Sequence, residues 1–167
     1  MADFFFDTSA LVKRFSRETG TGWVIDLVGP ASGHSIYLAN ITSVEVVSAI
    51  TRRMRGGHLT MAAAKKALTR FHRSFLRRYV IVEINPPLIS RATTLAETYA
   101  LRGYDAVQLA AALTIHHERV AAGLPTLTLI SADNDLNAAA TAEGLTFIIG
   151  VAKQKENVAG HIDLRNY

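Results

Sequence analysis

Residues 4–15 read FFFDTSALVKRF, and the chain changes its period in the middle of that stretch. Phe4, Phe5 and Phe6 form a continuous apolar run of the kind that fills a strand buried on both faces. From Thr8 to Phe15 the apolar residues fall at helical spacing, with Asp7, Thr8 or Ser9 available to cap the first turn. Asp7 therefore stands where a strand ends and a helix begins. A parallel sheet made of such units binds ligands beyond the carboxyl ends of its strands, near the point where strand order reverses. A carboxylate at that junction is a candidate site residue.

The alternation continues outward. Thr21 to Val28 reads as a short helix ended by Gly29 and Pro30, and Ile36 to Leu38 as a second strand. Thr42 to Arg55 is helical up to Gly56 and Gly57. Thr60 caps a further helix to Arg78, on which Leu68, Phe71, Phe75 and Leu76 make an apolar stripe. Tyr79 to Ile84 is a third strand, closed by Asn85, Pro86 and Pro87. Leu88 to Leu101 is helical, Gly103 interrupts the pattern, and an alanine-rich helix runs from Asp105 to Val120. Leu127 to Ile130 and Thr146 to Ile149 are the fourth and fifth strands, separated by a short helix from Leu136 to Glu143. Strands alternating with helices throughout predict an α/β fold with a parallel sheet covered on both faces. Val151 to Tyr167 is more polar and fits no element.

A length of 167 residues with 49% hydrophobic content suits one folded domain and excludes a disordered chain. The apolar runs are too short to span a bilayer, so no membrane association is expected. The N-terminus carries neither a basic leader nor a long apolar segment with a cleavage pattern, and a cytoplasmic location is the expectation. The absence of cysteine removes disulfides, thiolate metal sites and a cysteine nucleophile, leaving only oxygen and histidine ligands for any metal. The net charge of +4 is unevenly spread. No acidic residue occurs between Glu45 and Glu83, an interval holding Arg52, Arg53, Arg55, Lys65, Lys66, Arg70, Arg73, Arg77 and Arg78. Such a one-signed stretch holds a polyanion through phosphate contacts. The alternative is a solvated helical face.

Three more acids stand at comparable places: Glu45 in TSVEVVSA, Asp105 in RGYDAVQLAAAL and Asp133 in SADNDL. If strands one and four pair across the reversal point, Asp7 and Asp133 become neighbours, and the helices starting near Thr42 and Asp105 aim Glu45 and Asp105 into the same crevice. Clustered carboxylates repel unless a cation joins them. A hard divalent ion takes oxygen ligands and promotes phosphodiester hydrolysis. Each acid also has a structural reading. Asp7 and Asp105 are helix caps in that view, and Asp133 caps a turn-rich segment in which Asp135 is an equal candidate. Ser131 either orients a carboxylate or serves its own turn. Glu45 differs, because among Val44, Val46 and Val47 a carboxylate needs exposure or a partner.

The order DTSAL, TSVEVVSA, YDAVQLAAAL and SADNDL followed by AEGL resembles the PIN-domain family, and within it the VapC-type toxin ribonucleases. The likeness runs from Asp7 to about Ile149. It implies a three-layer α/β/α fold with a central, mostly parallel five-stranded sheet, a PIN-like nuclease domain over residues 1–150, and 151–167 as a tail of the same domain. By that resemblance Asp7, Glu45, Asp105 and Asp133 are the catalytic and metal-binding acids, with Ser131 and Asp135 as accessories. The implied cofactor is Mg²⁺ or Mn²⁺ and the implied reaction is RNA hydrolysis leaving 5′-phosphate and 3′-hydroxyl ends. Arg52, Arg53, Arg55, Lys65, Lys66 and Arg70 are the candidate RNA contacts. A cognate antitoxin and a homodimer are the implied protein partners. The competing reading is a noncatalytic PIN-fold RNA-binding or partner-binding module. Other classes fare worse: no GxxxxGK[ST] or GxGxxG loop is present, Asp7-Thr8-Ser9 lacks the second Asp of an aspartyl phosphatase, and the histidines lack HExxH spacing. His116 and His117 read as surface residues.

Overall fold

Phe4 and Phe6 face one side of the sheet, Phe5 faces the other, and all three are fully buried. That alternation puts a hydrophobic core on each face of a central strand, the arrangement a parallel sheet requires. The computed structural model describes residues 2–15, 20–29 and 31–149. Its strands are β1 (Asp3–Phe6), β2 (Ser35–Ala39), β3 (Val80–Val82), β4 (Thr128–Ser131) and β5 (Thr146–Ile149). They form one sheet in the order β3-β2-β1-β4-β5 with every neighbouring pair parallel. Chain order runs outward from β1 in both directions, so the reversal lies between β1 and β4. There Phe6 pairs with Ile130, and the Asp7 N–H donates to the Ile130 carbonyl at 3.0 Å.

Helices α1 (Thr8–Leu11), α2 (Thr21–Leu27), α3 (Thr42–Arg55) and α4 (Met61–Arg78) supply the core on the Phe4 and Phe6 side. Helices α5 (Pro86–Tyr99), α6 (Gly103–Ala121) and α7 (Asn134–Ala142) cover the Phe5 side. The result is three layers, helix on sheet on helix. Ala106, Ala110, Ala111 and Ala112 are buried, so small side chains seat α6 closely in this layer. No helix among the described residues is long and apolar enough to cross a membrane.

Several local expectations shift. The helix after Asp7 is α-helical only to Leu11 and tightens into a 3-10 turn at Val12–Arg14. On α4 the buried stripe is Ala64, Ala67, Phe71 and Phe75; Leu76 is 83% exposed, because one residue past Phe75 lies about 100° round the helix. The third strand is confined to Val80–Val82. Pro86 and Pro87 open α5 instead of closing the strand, since the first turn needs no N–H donor, and Asn85 caps it by accepting from the Leu88 N–H at 3.0 Å. Gly103 likewise begins α6, which starts two residues before Asp105. Residues 151–167 lie outside the described residues.

Candidate active site at the carboxyl edge of the sheet

The first residue past β1, Asp7, is 4% exposed. Its Oδ1 accepts from the Thr8 N–H at 2.6 Å, and its Oδ2 from the Ser9 N–H at 3.2 Å, the Ser9 hydroxyl at 2.5 Å and the Ser131 hydroxyl at 3.3 Å. The capping role is real, yet the site is larger than a cap. Ser9 Oγ accepts from the Ala132 N–H at 3.0 Å and Ser131 Oγ from the Asp133 N–H at 3.0 Å, which stitches the end of β1 to the end of β4. Burial pushes the Asp7 carboxyl above the ordinary carboxylate range, the Ser9 hydroxyl and N–H oppose that rise, and the charge on Glu45 adds to it.

Glu45 arrives from the start of α3, beside α1, and is half-buried. Its Oε2 accepts from the Thr8 hydroxyl at 2.6 Å and from Gln108 Nε2 at 2.8 Å. Gln108 is itself wholly buried and also donates to Thr8 Oγ1 at 3.1 Å and Thr42 Oγ1 at 3.0 Å. The polar partner that a carboxylate among valines demands is thus an amide from a different helix.

Asp105 stands in the first turn of α6, where Arg102 occupies the cap position in extended backbone, so it is not the helix cap. Its carboxyl is pushed up to about 6, first by burial, then by Asp133 and Asp7, with Arg102 pulling the other way and Glu45 adding to the rise. No hydrogen-bond donor among the described residues engages it. Asp133 caps α7, its Oδ1 accepting from the Leu136 N–H at 2.9 Å. Asp135 is exposed in the same turn and is not among the acids acting on Asp105. The fold therefore draws Asp7, Glu45, Asp105 and Asp133 into one electrostatic group, with Ser131 against Asp7 and Asp135 to the side.

An oxygen-only donor set in which each added charge is resisted fits a hard divalent cation by its chemistry. The acids do not form a closed cage: among the described residues, no group of three or more His, Asp or Glu side chains is set to hold a metal ion. Magnesium keeps most of its waters and is held by one or two carboxylates, so a partial shell suits it. The basic candidates lie elsewhere. Arg52, Arg53 and Arg55 are in the last turn of α3, while Lys65, Lys66 and Arg70, with Ala62, Thr69 and Arg73, form an exposed stripe along α4. His117 is exposed and meets Arg91, with guanidinium nitrogens 3.2 Å from Nδ1; His116 is partly buried, and its ring nitrogen Nδ1 has no hydrogen-bond partner among the described residues.

Sequence reasoning missed Thr8, Ser9, Thr42, Arg102 and Gln108 as parts of the site. Gln108 carried a readable signal. It is the lone amide in YDAVQLAAAL, one helical turn past Asp105, and a polar group in so apolar a stretch needs a partner.

The PIN domain family model matches residues 4–142. A search of curated proteins finds no sequence match. Among solved structures, the chain is similar to a toxin-antitoxin complex from Klebsiella pneumoniae, at 21% identity and a TM-score of 0.58 over 90% of this chain and 98% of that one. It is also similar to VapC20 from Mycobacterium tuberculosis, described as a sarcin-ricin loop cleaving toxin, at 18% identity and a TM-score of 0.58 over 81% and 94%. A third likeness is to FitAcB from Neisseria gonorrhoeae, at 16% identity and a TM-score of 0.58 over 88% and 97%. Identities this low speak for the fold, while the family model spans most of the chain with its acidic positions inside the match: the protein belongs to the PIN domain family.

Proposed function

We propose that this PIN domain is a metal-dependent endoribonuclease that acts as the toxin of a type II toxin-antitoxin pair. The observation that carries the reading is that Asp105 feels the charges of Asp133, Asp7 and Glu45, near the reversal point between β1 and β4, where such folds bind ligands. Four carboxylates held together with burial costs on two of them are hard to justify as helix caps alone.

Asp7 and Asp105 would hold a Mg²⁺ or Mn²⁺ ion, with Glu45 and Asp133 completing the shell directly or through waters. The ion, when bound, acidifies a water molecule and offsets charge building on the phosphate. The protein's own share is positional. Ser9 and Ser131 hold Asp7 in one rotamer, and Thr8 and Gln108 do the same for Glu45. Whichever of Glu45 and Asp133 is not bound directly to the ion would be available to take a proton from the attacking water. The basic residues of α3 and α4 supply phosphate contacts to the RNA, which give affinity without reading sequence. The toxin role, and with it a cognate antitoxin as partner, draws support from a toxin-antitoxin complex among the similar structures; a homodimer is proposed on the family resemblance alone.

Incubation of total RNA with wild type, Asp7→Ala and Asp105→Ala, each with EDTA, Mg²⁺ or Mn²⁺, tests this reading by mapping the ends produced. The expected result is metal-dependent cleavage leaving 5′-phosphate ends, lost in both variants while RNA binding persists. Cleavage by Asp105→Ala at the wild-type rate would sink the catalytic assignment. RNA binding with no cleavage by wild type would favour a noncatalytic binding module.

A further inference from the structure

Gln108 is wholly buried, and its amide is used unevenly. The Nε2 group serves three acceptors, Glu45 Oε2 at 2.8 Å, Thr42 Oγ1 at 3.0 Å and Thr8 Oγ1 at 3.1 Å, although it carries only two protons. Among the described residues the Oε1 atom has no hydrogen-bond partner. A side chain placed only to fill space would be apolar here, because a buried carbonyl without a hydrogen bond is destabilising. Turning the amide over would not help, since Oε1 would then face the Glu45 carboxylate. The orientation is therefore dictated by Glu45, and the orphaned oxygen is the cost of keeping both protons on the acid side.

Three helices meet at this amide. Gln108 lies one helical turn past Asp105 on α6, Thr42 opens α3 three residues before Glu45, and Thr8 follows Asp7 directly at the start of α1. A single amide thus references three of the four acids to one another. We infer that Gln108 is a positioning residue: with Thr42 as its anchor, it fixes the Glu45 carboxylate relative to Asp7 and Asp105. Glu45 Oε2 is tied back toward the protein by Thr8 and Gln108, so Oε1 is the oxygen left to serve the acidic centre. This inference rests on the reading of that centre as catalytic.

The test is a double-mutant cycle on the full chain, pairing Gln108→Met with Glu45→Gln. Methionine matches the volume of glutamine and offers no donor. Gln108→Met should lower kcat for RNA cleavage about 10- to 100-fold, the usual loss when a supporting partner of a ligand is removed, with KM for RNA unchanged. Mn²⁺ affinity, read by calorimetry, should fall by a similar factor in the Glu45 background and stay level in the Glu45→Gln background, where there is no carboxylate to position. Thr42→Val, a milder change, should show a smaller loss with the same dependence on Glu45. Equal losses of Mn²⁺ affinity in both backgrounds would overturn the inference and leave Gln108 a packing residue. If wild type cleaves no RNA with either metal, the nuclease reading falls separately. The unfolding free energies of the metal-free cycle then decide the contact alone: non-additive losses keep Gln108 coupled to Glu45, and additive losses end the inference.

Discussion

Asp105 carries the sharpest consequence at the scale of single residues. Its carboxyl titrates near 6 in the folded protein, above the ordinary value of 3.8, so the fold binds this proton more tightly than the unfolded chain does. The stability tied to that proton is complete below the ordinary value and is lost as pH rises through about 6. Asp7 shifts in the same direction and adds to the loss. Metal-free protein should therefore melt at a progressively lower temperature between pH 4 and pH 7 relative to Asp105→Asn, whose amide does not titrate. A constant gap between wild type and variant across that range would refute the coupling. Mg²⁺ or Mn²⁺ should reverse the trend at neutral pH by relieving the repulsion, and Asp7→Asn should lose much of that thermal response; equal shifts in both proteins would remove Asp7 as a ligand. The four acids were legible as candidates because each ends an apolar run or opens a helix, and the fold brings their charges within reach of Asp105. The choice between Asp133 and Asp135 was not, since both sit in one turn and only the path of that turn sends Asp133 toward Asp105. Nor was the Ser9 link to Ala132, which depends on β4 lying beside β1.

Elements were readable where a period persisted over several turns and misread where one residue sets a boundary. Helix α3 begins and ends as its pattern predicts, at Thr42 and Arg55, with Gly56 as its stop. Pro86, Pro87 and Gly103 read as breaks because proline and glycine usually punctuate, yet all three fall in first turns, where neither a missing N–H nor a missing side chain is costly. The shift matters at α6. Starting the helix at Gly103 moves Asp105 off the cap, so its carboxylate is not spent on backbone N–H groups. Asn85 gives the element scale its own test. Its side chain satisfies the Leu88 N–H at the head of α5, a helix that packs closely on α6, and Asn85→Ala should cost about 1 kcal/mol. In a chain of this size that is a fall of roughly 2–4 °C in melting temperature. Scanning calorimetry showing no change would mean that the α5 terminus is frayed in solution.

The whole molecule separates its charges along one helical hairpin. Glu45 is at the head of α3, in the acidic group, and Arg52, Arg53 and Arg55 are at its far end, about 10–15 Å away along a helix rising 1.5 Å per residue. The short connection through Gly57, whose φ of 75° suits glycine, returns the chain as α4 against α3, with Lys65, Lys66, Arg70 and Arg73 on its exposed face. This arrangement was only half legible: the charge run is plain in the sequence, but its division between the far end of α3 and the exposed face of the neighbouring α4 needs the fold. On the proposed function, these cations would hold RNA phosphates that the carboxylates alone would repel. Replacing Lys65, Lys66 and Arg70 together by glutamine should then weaken RNA binding in a salt-dependent way and leave kcat at saturating RNA nearly intact. Each phosphate contact on a single strand contributes about 0.7 to the slope of log affinity against log salt, so losing three contacts should flatten that slope by about 2. Filter binding at several salt concentrations, paired with cleavage rates at saturating RNA, measures both quantities. An unchanged slope would mean that these side chains only solvate α4 and that the RNA reaches the acids by another face; a lowered kcat would mean that they touch the reacting centre itself.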